Sequence, residues 1–285
     1  MIQMKVMSKR TGRLPLQLVV LLSIGFVAPA MGQSLSDGVV GQWRLDQFLD
    51  DISCNDLDLQ AVGAPSFATG LLGSSLDFPG TGSDYATRPG DDSILDFGTS
   101  DFTIQLWVRF DTTSGERVLI EKMTGDGTPP TTEGWTITKI PANSIRFGAA
   151  TNVLNTPNLS LSTAVWYHIV VRRNSAGRSI WFNGTSVASD TNTDPVLDTT
   201  FPLLLGRRNA SAGQGALALD GQLDEIVIWN RALADADIVN LYNSGNGRTV
   251  GPCIPTLSQW GVAVMGLLLL TAGTIVVRRR VTTAS

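Results

Sequence analysis

Hydrophobic and polar residues alternate with a period of two through much of the chain, as they do in half-buried strands. The clearest run spans 102–110. Phe102, Ile104, Leu106, Val108 and Phe110 share one face, and Thr103, Gln105, Trp107 and Arg109 share the other. A second run spans 166–173, with Tyr167, Ile169 and Val171 opposite His168 and Val170. Runs over 178–182 and 185–190 flank Asn183-Gly184, a pair that tolerates positive φ at both positions and so favours a tight hairpin. A late strand is predicted over 222–229, where strict alternation puts Asp224 on the face of Ile226 and Ile228 and points Glu225 the other way. Gly, Asn, Asp, Ser and Thr separate the runs. Helical spacing occurs once, over 234–243, where Ile238, Leu241 and Tyr242 fall on one side and Gly245 supplies a stop. These elements predict an all-β fold, a single β-sandwich over 33–248 closed by one short helix.

The two ends break this pattern. Lys5, Lys9, Arg10 and Arg13 precede an apolar stretch over 14–28, and Ala28-Pro29-Ala30 offers small residues for cleavage, so 1–32 reads as a cleaved signal helix. At the other end, 249–260 forms a linker and short motif, and 261–277 is uncharged and close to the ~20 residues that span a bilayer. Arg278, Arg279 and Arg280 come next in a basic tail, 278–285, which the positive-inside rule holds in the cytoplasm with the preceding domain outside.

Removing the ends changes the charge. The chain carries 21 Lys and Arg and 25 Asp and Glu, but every acidic residue and only 14 of the basic ones lie within 33–248. The predicted sandwich therefore has a net charge of −11, which argues against nucleic acid or an anionic membrane surface as partner.

Two resemblances rest on particular residues. Ile254-Pro255-Thr256-Leu257-Ser258, then Trp260-Gly261, an apolar helix and an Arg cluster resemble the IPTL-type C-terminal sorting signals of Gram-negative bacteria. The resemblance implies a protein exported to the cell surface, an exosortase-like membrane enzyme as processing partner and a transient membrane anchor. Gly41-x-Trp43-x-Leu45-Asp46, Asp101-Phe102-Thr103-Ile104-x-Leu106-Trp107-Val108 and Trp166-Tyr167-His168-Ile169 resemble the strands of LamG-like, concanavalin-type jelly rolls. The closing segment does too, running from Asp220-Gly221 through Asp224-Glu225-Ile226 and Trp229-Asn230-Arg231 to Leu233. This implies a jelly-roll sandwich; the fold itself hosts lectins, adhesion modules and glycosidases alike.

The candidate chemistry is sparse. Family-16 glycosidases of this fold carry Glu-x-Asp-x-x-Glu along one strand, and the nearest string here, Leu223-Asp224-Glu225-Ile226, lacks the third carboxylate. His168, the chain's one histidine, sits mid-strand and suits a structural role. Asp224, at the edge of the interior, needs a positive partner: Arg231, helix N–H groups or a cation. Ca²⁺ binds carboxylate and carbonyl oxygens, and LamG-like relatives often hold it at a sandwich rim. Pairing of first and last strands would bring Asp50, Asp51, Asn55 and Asp56 towards Asp224, which makes these five the candidate metal ligands. Cys54 and Cys253 flank the first and last elements in an oxidising compartment, so they form either a disulfide, contributing up to ~5 kcal/mol by loop closure, or two free thiols. Trp135 comes after a loop signal over 128–134 and is the candidate sugar-stacking aromatic, its alternative being a strand residue facing the core.

The reading is an exported, surface-sorted, non-catalytic binding or adhesion module for an extracellular glycan or matrix polymer. Its rivals are a structural matrix or envelope protein without a specific ligand, and a divergent glycoside hydrolase.

Overall fold

The alternation over 102–110 becomes one central strand whose alternate residues Phe102, Ile104, Leu106, Val108 and Phe110 all enter the main core. A computed structural model describes residues 33–124, 133–149, 152–209, 217–252 and Leu268. The chain divides into two compact units, residues 1–33 and 34–285, and every strand lies in the second. The expected signal helix, sorting motif and, apart from Leu268, membrane helix lie outside the described residues. Among those described, no helix is long and apolar enough to cross a membrane.

In chain order the described strands begin with β1 (Val39–Trp43), β2 (Gln60–Val62), β3 (Ser66–Thr69), β4 (Ser74–Pro79) and β5 (Tyr85–Arg88). Next come β6 (Phe102–Phe110), β7 (Arg117–Met123), β8 (Gly134–Ile140), β9 (Ser144–Ala149) and β10 (Asn152–Asn155). The last are β11 (Trp166–Asn174), β12 (Gly177–Phe182), β13 (Thr185–Asp190), β14 (Leu203–Leu205) and β15 (Asp220–Trp229), before the helix α1 (Asp235–Tyr242). They make two antiparallel sheets packed face to face. One has eight strands, β13-β12-β11-β6-β15-β4-β3 with β1 also on β15; the other has seven, β10-β9-β8-β7-β14-β5-β2. This is the jelly-roll sandwich expected from the sequence.

The predicted hairpin forms between β12 and β13, with Asn183 at φ 50° and Gly184 at φ 75°, the positive pair that a two-residue turn needs. Inner faces of both sheets supply the core, including Trp43, Phe78, Phe102, Phe110, Trp135 and Phe147, all fully buried or nearly so. A second apolar cluster lies on the outer face of the eight-stranded sheet, where Val170, Trp181, Val227 and Trp229 pack under Leu233, Ile238 and Leu241 of the helix segment. Asp235 and Asp237 in the first turn of α1 favour its N-terminal dipole, and Asn243 ends it in the left-handed conformation. Val250 is buried in the same cluster, and its carbonyl accepts from Gln42 Nε2 (2.8 Å) and Arg44 Nη2 (3.2 Å).

Of the strands whose register shifts, β15 bears on the site. β15 pairs with β6 along one edge, but its other edge is divided: Asp220–Leu223 pair with β4, and Ile226–Trp229 pair with β1. Between them a bulge at Asp224–Val227 interrupts the register, with Glu225 at φ 47°. A bulge adds a residue and shifts the phase of the side chains. Asp224 therefore does not share the face of Ile226 and Ile228, as strict alternation predicts. It sits opposite Trp107 on the outward side, while Leu223, Ile226 and Ile228 all face the core.

Candidate functional site

The bulge opens a gap along β15 where β1 ends and β4 begins, with acidic residues buried at it and near it. Asp224 is fully buried; its Oδ2 accepts the backbone N–H groups of Leu71 (2.8 Å) and Leu72 (3.1 Å), and its Oδ1 has no partner. Glu225 is also fully buried, and neither Oε1 nor Oε2 has a partner. Asp46, from the loop after β1, accepts the N–H of Ser74 at 2.8 Å. Gly73 makes this approach possible: at φ 64°, a Cβ there would lie 2.0 Å from Asp46 Oδ1. Burial pushes Asp224 up to about 7, opposed by the backbone N–H groups of Leu72, Leu71 and Glu225 and reinforced by Asp46. Burial, then the adjacent Asp224, pushes Glu225 up to about 8, with Arg44 pulling the other way. Carboxylate oxygens left without donors in a buried place are costly unless protonated or bound to a cation.

The other expected metal ligands are elsewhere. Asp51 is used up by its own loop: Oδ1 accepts from Gln42 N (2.8 Å) and Ser53 N (2.9 Å), and Oδ2 from Leu57 N (2.9 Å) and Ser53 Oγ (2.6 Å). That saturation makes it a loop organiser. Asn55 Nδ2 donates to Val40 O at 3.1 Å, and Asp50 and Asp56 are exposed. The carboxylates that act on Asp224 are instead Asp46 and Glu225. Among the described residues, no three His, Cys, Asp or Glu side chains converge as a ready-made metal site. Cys54 is exposed on the same loop and no described cysteine is free; Cys253 lies outside the described residues.

Trp135 is a correction of a different kind. It is fully buried, donates Nε1–H to Leu95 O at 3.0 Å and packs on Phe97. Pairing of β8 between β7 and β9 fixes its side chain on the inner face, so it has no surface to offer a sugar. His168 is equally enclosed, between Trp107 (4.9 Å) and Tyr242 (6.0 Å), with neither ring nitrogen partnered. Burial drops its pKa to about 3, which keeps it neutral and fits the structural role.

Open surface with polar groups lies instead on the outer face of the seven-stranded sheet. A cleft of about 460 Å³ is lined by Tyr85 and Thr87 of β5, Leu204 of β14, Phe201, Arg207 and Asn209. Arg207 lies 4.7 Å over the Tyr85 ring, and its Nη1 and Nε donate to Gly82 O (2.7 Å) and Arg208 O (2.9 Å). Beneath the cleft's edge, β14 pairs with β7 at Leu204 and Glu121. Glu121 is fully buried, 3.4 Å from Arg208 Nε, and accepts the N–H of Asn209 at 2.6 Å. Burial still outweighs these contacts and pushes Glu121 up to about 7. The described lining of the cleft contains no carboxylate. A second, smaller hollow of about 270 Å³ lies beside Phe48, a 66 % exposed aromatic on a loop held by positive φ at Leu45 (61°) and Gln47 (65°).

Tyr85, Arg207, Phe48 and Glu121 were not singled out from the sequence, and Asp46 and Glu225 were read there only as parts of strand motifs. The Arg207-Arg208 pair, in so acidic a region, was the one available signal for the cleft.

The fold is shared with known proteins. The sequence model of the concanavalin A-like lectin/glucanases superfamily matches residues 80–239, more than half of the chain, and the IPTL-CTERM motif matches residues 253–280. The chain belongs to the concanavalin A-like lectin/glucanases superfamily, and its C-terminal motif marks an exported, surface-sorted protein. No curated protein matches the sequence. Among solved structures, domain 4 of AbnA, a GH43 extracellular arabinanase from Geobacillus stearothermophilus in complex with arabinotriose, is similar at 16% identity and TM-score 0.56, over 71% of this chain and 97% of that one. The binding domain of Paraclostridial Mosquitocidal Protein 1 is similar at 18% identity and TM-score 0.59, over 74% of this chain and 53% of that one. The binding domain of Botulinum Neurotoxin DC, in complex with SialylT, is similar at 16% identity and TM-score 0.56, over 74% and 52%. The chain thus spans about half the length of these toxin domains. At such identities the likeness concerns the fold.

Proposed function

We propose that the protein is a non-catalytic saccharide-binding module sorted to the cell surface, and that it binds extracellular glycan or matrix polymer in the Tyr85–Arg207 cleft. The observation that carries this reading is the cleft itself. Its volume falls in the range of small-molecule sites, and it combines aromatic and apolar surface with a few fixed polar groups. Glycoside hydrolysis needs two carboxylates flanking the bond, whereas Thr87, Asn209 and Arg207 are hydroxyl- and anion-binding groups. The similar AbnA domain was solved with an arabinotriose and one toxin domain with SialylT, which supports a binding role. The test is glycan-array binding by the full chain: binding lost on Tyr85→Ala supports the reading, and product release from polysaccharides overturns it.

Calcium belongs at the β1/β4 gap in this reading, with Asp224 and Glu225 as ligands and Asp46 adding negative charge. The three unpartnered buried oxygens fit a hard cation that takes oxygen ligands. An identical melting temperature in EDTA and in excess Ca²⁺ would sink this assignment. Cys54 and Cys253 form a disulfide, residues 261–277 a temporary membrane anchor, and an exosortase-like enzyme removes the tail. Mass spectrometry of the exported protein reads all three, through the bridged peptide and the mature C-terminus.

A further inference from the structure

We infer that the cleft selects an acidic saccharide, one whose sugars carry carboxylates, and that Arg207 is the group that reads the acid. This rests on the cleft being the binding site and adds the class of sugar.

Arg207 differs from many arginines of this acidic domain. Arg88, Arg109, Arg146, Arg172, Arg178 and Arg208 each have a carboxylate within 4 Å. Arg207 has none among the described residues, although its neighbour Arg208 is close to both Glu116 and Glu121. It is nevertheless held in place. Two backbone carbonyls take Nη1 and Nε, and the Tyr85 ring lies against the guanidinium. Nη2 has no partner among the described residues and is not buried away from solvent.

A guanidinium fixed by neutral groups keeps its full charge and gives up little side-chain freedom when it binds. Its planar donors match a carboxylate, and charge-assisted hydrogen bonds of this kind are stronger than those to a neutral hydroxyl. Half-buried Tyr85 and Phe201 offer apolar surface beside it. The domain's net charge of −11 opposes a polyanion at long range. Screening confines that opposition to roughly 8 Å at physiological ionic strength, so the local cation decides. No carboxylate in the described lining competes with the ligand's.

The experiment is titration calorimetry of the full chain with oligomers of galacturonate, glucuronate and mannuronate, each set against its methyl-esterified form, which masks only the charge. At least one acid should bind about tenfold or more tightly than its ester, as a charge-assisted contact implies. Arg207→Gln should bring acid and ester to within about twofold while the protein stays folded, its melting temperature lowered by no more than a few degrees, and Arg207→Lys should keep part of the preference. Equal binding of acid and ester, or a preference that survives Arg207→Gln, overturns the inference. If only neutral sugars bind, and Tyr85→Ala abolishes that binding, the inference falls while the cleft stands. If nothing binds, both fall.

Discussion

On the outer face of the seven-stranded sheet, buried Glu121 has Arg208 beside it and a backbone N–H on its oxygen. On the outer face of the eight-stranded sheet, Asp224 and Glu225 are as deeply buried, but among the described residues no cationic side chain hydrogen-bonds to either, and three of their four oxygens lack any partner. Desolvation raises all three acids. What differs is how the fold compensates. The first face carries its own counter-charge and leaves an open cleft next to it; the second is sealed by α1 and Tyr242 and leaves its charge to protons or a cation.

Four outcomes test that difference, from the largest effect to the smallest. Trp107→Ala empties the sealed face beneath Tyr242, where ring centroids are 6.0 Å apart, and should cost about 3–5 kcal/mol in chemical unfolding. A loss below about 1 kcal/mol would mean that the face is not sealed. The same exchange should then act in opposite directions on the two acids. Glu121→Gln removes one of the two carboxylates beside buried Arg208 and should cost about 1–3 kcal/mol, whereas Glu225→Gln in EDTA should be neutral or stabilising by about 1 kcal/mol at pH 8. Two losses of equal size would erase the contrast.

The pH dependence comes third. A carboxylate raised above its unfolded value adds stability at low pH and loses it as pH climbs through the folded value; for Asp224 and Glu225 that loss runs from about 4 to about 8. His168, depressed to about 3, has the opposite sign: its stability is lost as pH falls below about 6.5. Glu121, raised to about 7, shares this sign, so between pH 7 and 8, above both Glu121 and His168, the Asp224–Glu225 pair dominates. In EDTA the melting temperature should therefore fall across this window by a few degrees, ~1 kcal/mol being worth about 2–4 °C at this size. Excess Ca²⁺ should flatten the curve, and a fall that persists in calcium would remove the cation from this gap. The smallest effect belongs to half-buried Tyr85, where Tyr85→Ala should shift stability by about 1 kcal/mol or less while ending saccharide binding. Binding that outlasts the substitution would take the cleft out of the function.

Most of the fold was legible because alternation reports directly which face is buried. Residues 102–110 and 185–190 become strands with the expected bounds, and 234–243 contains the helix. The sites were less legible, each for a local reason. The bulge at Glu225 lies inside an unbroken Leu-Asp-Glu-Ile-Val-Ile-Trp string, and nothing in a period-two pattern marks an extra residue. Trp135 comes after loop-like residues, and only its register with Lys122 and Ala149 places it in the core. Asp51 carries the right atoms for a metal, but backbone donors of its own loop, together with β1, claim them first. Tyr85 and Arg207 are 122 positions apart and meet only through the pairing of β5 with β14.

The grip of Gln42 and Arg44 on the Val250 carbonyl has a mechanical consequence. A pull on the chain beyond Val250 does not peel α1 away first. It loads the two side chains flanking the end of β1, and through them the β1–β15 ladder that joins the first strand to the last. Force entering at the exit of the sandwich is thereby shared between both ends of its chain, as by a buckle on a strap.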